Sequence, residues 1–327
     1  MAPSPSSSTK GSTASSVSSI AATPSVAQPS PAADAGAPVL PHVSPAVSSR
    51  DAKLAFLRQV CRTAVRRAGP AGVGVDAVGC TCCPPFDDCP PKPGTLDVQV
   101  HGSVGIFQLE TMVFGSYSRA EADEAAASFQ GCESHAENWG GTVLYARAPG
   151  GKSAWKQLQY VSGFHPDSCF AVRGDDGRDR LVCERTDAHQ GFGERYLFTH
   201  DFEEKEFTAD DLLLLLESND NCNEASMSNV GDRLVRASLR GEVMAIVDGR
   251  VALVAHVDFG VATLDKPFAR ACANAERVRS PALYEKARTL LPPPTAIDIA
   301  FVFDGHAFSV APASAASFKQ VTTAFEP

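Results

Sequence analysis

The chain has 327 residues, and its 29 Lys and Arg against 38 Asp and Glu leave a net charge of -9. That balance argues against a polyanionic partner, so no nucleic-acid role is expected. The longest apolar candidate, Leu212 to Leu216, is far shorter than the ~18 to 20 residues of a membrane span, so no transmembrane segment is expected either.

Residues 1 to 47 are almost wholly Ser, Ala, Pro, Thr, Gly and Val, with Lys10 and Asp34 as their charges before His42. Such a stretch buries too little apolar area to offset the entropy of ordering it, and it reads as a disordered tether. Residues 48 to 94 read as a helix followed by a Cys-rich loop. Ser49 is placed to cap the helix, Leu54, Leu57, Cys61 and Ala64 or Val65 form its apolar stripe, and Gly69-Pro70 is the expected stop. Arg58, Arg62 and Arg66 lie on the opposite face, a basic face read as solvated rather than as a membrane or nucleic-acid contact.

Ten cysteines stand at 61, 80, 82, 83, 89, 132, 169, 183, 222 and 272. An even and high count suits an oxidising compartment: secreted, periplasmic or surface-exposed. Met1 to Ser19 shows no charged segment followed by an apolar one and no cleavage pattern, so either the export signal is missing from this version of the chain or the compartment inference is wrong. Cys80, Cys82, Cys83 and Cys89 crowd into ten residues. Four thiolates at that density could hold a soft metal ion, yet adjacent Cys82 and Cys83 and the flanking prolines fit disulfide anchoring of a loop better than two CxxC knuckles.

From residue 95 to 327 the pattern is β-dominated, as one domain or as two lobes of about 95 to 205 and 206 to 327. Leu96, Val98 and Val100 alternate with polar residues, and Gly105 to Phe114 supplies a further strand or two. Ser118 to Glu121 has the form of a capping box, so a helix is expected up to Gly131, with Ala122, Ala125, Ala126 and Phe129 inward and Glu121, Asp123 and Glu124 outward. Thr142 to Phe202 reads as a β-meander of five strands: 142 to 147, 155 to 161, 169 to 173, 180 to 185 and 195 to 200. Asp210-Asp211 and the leucines after them fit either a helix or a buried strand. Val243 to Val257 and Ile297 to Val310 are hairpins, each turning at Asp-Gly. Helices are expected at Pro267 to Val278, after Ser280-Pro281 and at Ala313 to Ala324. The fold class is therefore α+β with antiparallel sheets and a few short flanking helices. The echo of Asp179 to Val182 in Asp232 to Val235 is too short to establish a repeat.

If the turn at Gly174 to Arg178 is centred on Asp176, antiparallel pairing sets Arg173 against Asp179, Ala171 against Leu181 and Cys169 against Cys183. Opposed residues have Cα atoms ~4.5 or ~5.5 Å apart, a spacing that a disulfide accepts. The same turn holds Asp175, Asp176 and Asp179, weak candidates for calcium, although a hairpin turn calls for the same residue types. His101 to Gly105 departs from a nucleophile elbow, the Gly-rich run at Gly72 to Gly79 does not match a dinucleotide fingerprint, and Asp258-Phe259-Gly260 lacks the other kinase elements. No catalytic constellation and no cofactor are expected. The reading is an extracytoplasmic β-rich protein with a non-enzymatic structural or binding role and an unidentified partner, a cell-envelope component being one candidate. Two alternatives stay open: a hydrolase whose His and Asp residues meet only in the fold, and a cytosolic metal- or redox-responsive protein centred on Cys80 to Cys89.

Overall fold

The structure, a computed structural model, describes residues 38–61, 64–67, 77–81, 107–130, 140–148, 155–189, 192–222 and 228–324. Among the described residues every strand pair is antiparallel, and the strands sort into three sheets. The expected strand at Leu96 to Val100 and the tail before Pro38 lie outside the described residues.

A six-stranded sheet runs in sequence order: β2 (Ala64–Arg67), β3 (Ala77–Cys80), β4 (Phe107–Gly115), β5 (Glu124–Gln130), β6 (Gly140–Arg147) and β7 (Trp155–Ser162). The middle sheet has the order β1 (Val43–Pro45), β8 (Ser168–Arg173), β9 (Asp179–His189), β10 (Phe192–His200) and β11 (Leu212–Ser218). A four-stranded sheet holds β12 (Arg233–Val247), β13 (Arg250–Thr263), β14 (Thr295–Phe303) and β15 (Phe308–Val310). Short helices flank them: α1 (Arg50–Val60), α2 (Lys266–Val278), α3 (Pro281–Arg288) and α4 (Ala315–Thr322).

The alternation of side chains along a strand explains why the middle sheet is buried twice. On β9, Leu181 and Cys183 join Val113, Ala126, Leu144 and Phe198 in a core shared with the six-stranded sheet. Val182, between them, joins Leu197, Leu214, Leu253, Val257, Ile299 and Phe301 in a core shared with the four-stranded sheet. The result is a stack of three sheets. The leucine run forms β11 at the middle sheet's edge, after a 3-10 turn at Ala209–Asp211, and not a helix: Leu213, Leu214 and Leu216 pack in the core shared with the four-stranded sheet, while Leu212 and Leu215 are half-buried. A third core lies between α1 and the outer face of the six-stranded sheet, where Phe56 and Leu57 meet Met112, Val143, Tyr145 and Trp155.

Several expectations are corrected by these pairings. The meander is not one sheet: β7 ends the six-stranded sheet and β8 begins the middle one, because the chain turns a corner at Gly163 (φ 73°) and buries Phe164 between the two. The tether does not extend to residue 47. Val43–Pro45 pairs with β8 (Val43 opposite Val172), and Val47 donates its amide to Met112 at 2.8 Å. An edge strand accepts Pro45 because that position needs no ladder donor. The helix capped by Ser49 ends at Val60, so Ala64, Val65 and Arg66 belong to β2; Ala64 pairs with Cys80 on β3.

In place of the helix expected from Ser118, residues 118–123 form a loop and Glu124–Gln130 is strand β5. Its alanines fit the pinched space between β4 and β6, where Ala125, Ala126 and Ala127 are buried, and packing on both faces overrides the helical preference of alanine. Glu124, expected outward, is 1 % exposed: its carboxylate accepts from the amides of Tyr117 (2.6 Å) and Ser118 (2.8 Å) and from the Ser118 hydroxyl. Ser118 thus binds Glu124 and not the expected Glu121, whose φ of 62° is not helical, and these bonds close a loop.

The hairpin at Asp248-Gly249 has both residues at positive φ, 51° and 73°, as a type I′ turn requires. At Asp304-Gly305 the register closes at Phe303 opposite Phe308, so the loop has four residues; the Asp304 carboxylate accepts from the amides of His306 and Ala307, both at 2.9 Å.

Candidate functional site

The Cys169–Cys183 register follows from the turn. Arg173 pairs with Asp179 and Cys169 with Cys183, and those two cysteines are bonded with Cα atoms 4.1 Å apart. Two further bridges join Cys61 to Cys80 (Cα atoms 5.9 Å apart) and Cys222 to Cys272 (4.7 Å). Each lies in or against a different hydrophobic cluster: Cys80 beneath α1, Cys169 and Cys183 between the six-stranded and middle sheets, and Cys222 and Cys272 among Leu234, Leu264 and Phe268. Cys82, Cys83, Cys89 and Cys132 lie outside the described residues, and among the described residues no three His, Cys, Asp or Glu side chains converge as metal ligands.

The acidic turn does not gather its carboxylates. Asp179, 1 % exposed, accepts from Arg173 Nε at 2.6 Å and from the Ser116 amide at 2.7 Å. Asp176 accepts from Arg178 Nε at 2.8 Å and from Arg180 Nη2 at 3.0 Å. Those arginines reach on to Asp201, and Arg178 also to Glu203 at 3.0 Å. The Arg180 guanidinium first, with Arg178 behind it, holds the Asp176 carboxyl well below the usual range against the opposing effect of burial. Asp175 takes a different role: its amide donates to the Gly305 carbonyl at 3.1 Å, docking the turn on the β14–β15 loop. Guanidinium groups already occupy the places where a calcium ion would need Asp176 and Asp179.

The fold does bring histidines to aspartates. His200 Nδ1 lies 3.4 Å from Asp211 Oδ1, His256 Nδ1 lies 2.8 Å from Asp298 Oδ1, and His306 Nδ1 lies 3.4 Å from Arg180 Nη2. The His200 ring is fully buried, wedged between Phe164 and Phe202 with centroids 4.8 and 4.9 Å away. A substrate cannot reach its Nε2 without opening that core. The His256–Asp298 pair stands in the open on the outer side of β13 and β14, opposite each other in register. His165 is half-buried, and burial, aided by Arg185, lowers it to about 4, so it stays uncharged at neutral pH.

The most developed concave region surrounds Asp220. It follows β11, where Asn219 exchanges hydrogen bonds with Val235 on β12 and so fixes the next residue under α3. Asp220 is 4 % exposed, and one of its oxygens, Oδ2, accepts from Arg236 Nε at 2.7 Å and from Arg288 Nη2 at 3.0 Å. Its other oxygen accepts from the Ser218 hydroxyl at 2.7 Å. Arg236 Nη2 donates to the Arg288 carbonyl at 3.1 Å, which ties β12 to the end of α3. Burial alone would raise the Asp220 carboxyl; the Ser218 hydroxyl and the two guanidinium groups outweigh it and keep the group ionised.

Three depressions of about 500, 150 and 340 Å³ meet at these residues. The largest is lined by Asp220, Tyr284, Glu276 and Arg288 beside the Cys222 bridge. The others are floored by Arg236, Leu291 and the prolines 292 to 294. Two guanidinium groups share one carboxylate there, at the mouth of an otherwise mixed apolar and acidic cleft. No signal in the sequence pointed to it: Asp220 sits in a polar stretch that reads as a loop, and Arg236 and Arg288 are separated from it by 16 and 68 positions.

Comparison with family models, curated proteins and solved structures returns no match, so the geometry above is what a functional reading rests on.

Proposed function

We propose that the chain serves outside the reducing cytoplasm as a non-enzymatic binding protein. The observation that carries this reading is the placement of the three bridges, each in or beside its own hydrophobic cluster and closing separations of 14 to 50 residues. Bridges distributed in this way secure several packing units against chain opening, a use of cystine suited to an oxidising compartment. The histidine and aspartate pairs favour no hydrolase: His200–Asp211 is sealed in aromatic packing, and His256–Asp298 stands on an open strand face and lines none of the clefts described above. The cleft around Asp220, Arg236 and Arg288 supplies what binding needs: polar groups aimed into a concavity with apolar walls.

Non-reducing peptide mapping of protein taken from its native cells tests the reading. Linked peptides containing Cys61 with Cys80, Cys169 with Cys183 and Cys222 with Cys272, recovered from an extracytoplasmic fraction, are expected. Cytoplasmic protein with those thiols open to alkylation overturns it.

A further inference from the structure

The depressions that meet at Asp220 differ in charge from one end to the other. Arg288 and Glu285 line both of the larger ones, of about 500 and 340 Å³, which therefore adjoin along α3. Arg236, Leu291 and Pro293 line the smaller of the two, while Glu276 and Tyr284 line the larger. Resting on the reading of this cleft as a binding site, we propose that its ligand is a short peptide with free termini and an apolar body, its carboxylate held at Arg236 and Arg288 and its ammonium at Glu276.

At the Arg236 end positive charge is in excess. Both guanidinium groups converge on a single oxygen, Asp220 Oδ2, which lies 2.7 Å from Arg236 Nε and 3.0 and 3.3 Å from Arg288 Nη2 and Nε. One carboxylate does not balance two cations. Glu285 adds little, because it lies 3.8 Å from Arg288 Nη1 on a side chain 75 % exposed, where water screens it. The Arg236 side chain is 16 % exposed, so the surplus charge sits partly out of water and draws an anion more strongly than a surface arginine does. Arg236 spends Nη2 on the Arg288 carbonyl, which leaves Nη1 of each arginine to meet a carboxylate in the depression that both line.

The other end has the reverse balance. Three carboxylates, Asp220, Glu276 and Glu285, line the 500 Å³ depression with one cation, Arg288, which Asp220 already engages. Glu276 stands in the last turn of α2, where the negative end of the helix dipole adds to its charge. Arg277 donates to Asn274 at 3.0 Å, and neither it nor Arg279 lines the depression. An ammonium complements that wall. A purely anionic ligand would meet Glu276 and a purely cationic one Arg236, so each would leave one end uncompensated. Apolar surface from Tyr284, Leu291 and Pro293 lies between the poles, and two adjoining volumes of this size suit a ligand longer than a single amino acid. Gly193 on β10 borders the larger depression, and a Cβ placed there meets nothing closer than the Ser218 carbonyl oxygen at 3.9 Å. A bulky side chain can therefore be set into that wall without displacing the ion pairs.

Calorimetric titration of the full, oxidised chain with the tripeptide Ala-Leu-Ala tests the proposal, beside the same peptide N-acetylated, C-amidated and blocked at both ends. The free peptide is expected to bind, and each single block to weaken it roughly tenfold or more, the loss of one charge-assisted contact. Glu276→Gln is expected to erase the advantage of the free peptide over its N-acetylated form while keeping the advantage over the amide. Arg288→Gln is expected to do the converse, with a thermal melt reporting whether the Asp220 network still holds, and Gly193→Phe to abolish binding of every form. A free peptide that does not bind, blocked forms that bind as tightly as the free one, or a preference for the free amine that survives Glu276→Gln overturns the proposal. If the doubly blocked peptide binds equally well and Gly193→Phe removes it, the cleft remains a binding site and only the ligand class falls. Mass spectrometry of the recovered peptide tests the underlying reading separately: intact peptide supports it, and cleaved peptide overturns the non-enzymatic role while leaving the ligand class in place.

Discussion

Along β9, Leu181 and Cys183 face the six-stranded sheet while Val182 and Glu184 face the four-stranded one. The first interface is closed by aromatic and aliphatic packing and carries the Cys169–Cys183 bridge. The second has the larger core, with Leu197, Leu253, Val257, Ile299 and Phe301. Neighbouring residues of a single strand thus end in environments of opposite character. One side of the middle sheet is secured by packing and a covalent tie, the other by aliphatic burial.

Truncating a side chain in each interface probes that contrast most strongly. Leu253→Ala in the second interface and Leu144→Ala in the first each remove a leucine that is at most 1 % exposed, and each is expected to cost about 2 to 5 kcal/mol. The midpoint of urea unfolding reads this directly, provided the slope is unchanged. Near-equal losses mean that both interfaces are packed to the same density. A much smaller loss for Leu253→Ala would mean that the second interface collapses around a cavity more readily, as a face without a covalent tie could.

Removing the tie should have a smaller and one-sided effect. Cys183→Ser opens a loop with a separation of 14 residues, worth about 3 kcal/mol in the chain-entropy account. Hydrogen exchange is expected to speed up in β8 and β9 more than in β13 and β14. Adding reductant should remove the difference between wild type and variant; a difference that persists would assign the loss to the packing of the sulfur atoms instead.

What could be read before folding follows from how local each signal is. The Cys169–Cys183 register was legible because a short turn fixes the pairing of the strands it joins, and β-hairpin chemistry at Asp248-Gly249 was legible for the same reason. The break between β7 and β8 was not, since Gly163 to Pro166 reads as one more turn, and only the burial of Phe164 between sheets shows that the chain changes layer. Glu124 illustrates a second limit. The capping-box spacing from Ser118 points to Glu121, yet the carboxylate that Ser118 binds is that of Glu124, six residues on, and these bonds close a loop ahead of a strand held between β4 and β6. The cleft was least legible of all, because Asp220, Arg236 and Arg288 come from three separate stretches and each is ordinary in its own.

The smallest expected effect, and the one that separates the two ends of the middle sheet most cleanly, is the acid response of the β8–β9 turn. Asp176 is held below its ordinary 3.8 chiefly by Arg180, whose side chain is 5 % exposed, while Asp176 itself is 26 % exposed. A carboxyl whose folded value is depressed stabilises the fold above the unfolded value, and that contribution is lost as pH falls through the folded one. Asp176→Asn should therefore cost stability at pH 7 and progressively less in acid, with wild type and variant converging well below pH 3.8. Solvent screening of a partly exposed pair limits the neutral-pH cost to about 1 kcal/mol. If Asp176→Asn costs as much stability in strong acid as at pH 7, the loss belongs to the packing of the turn and not to the ion pairs of Asp176 with Arg178 and Arg180.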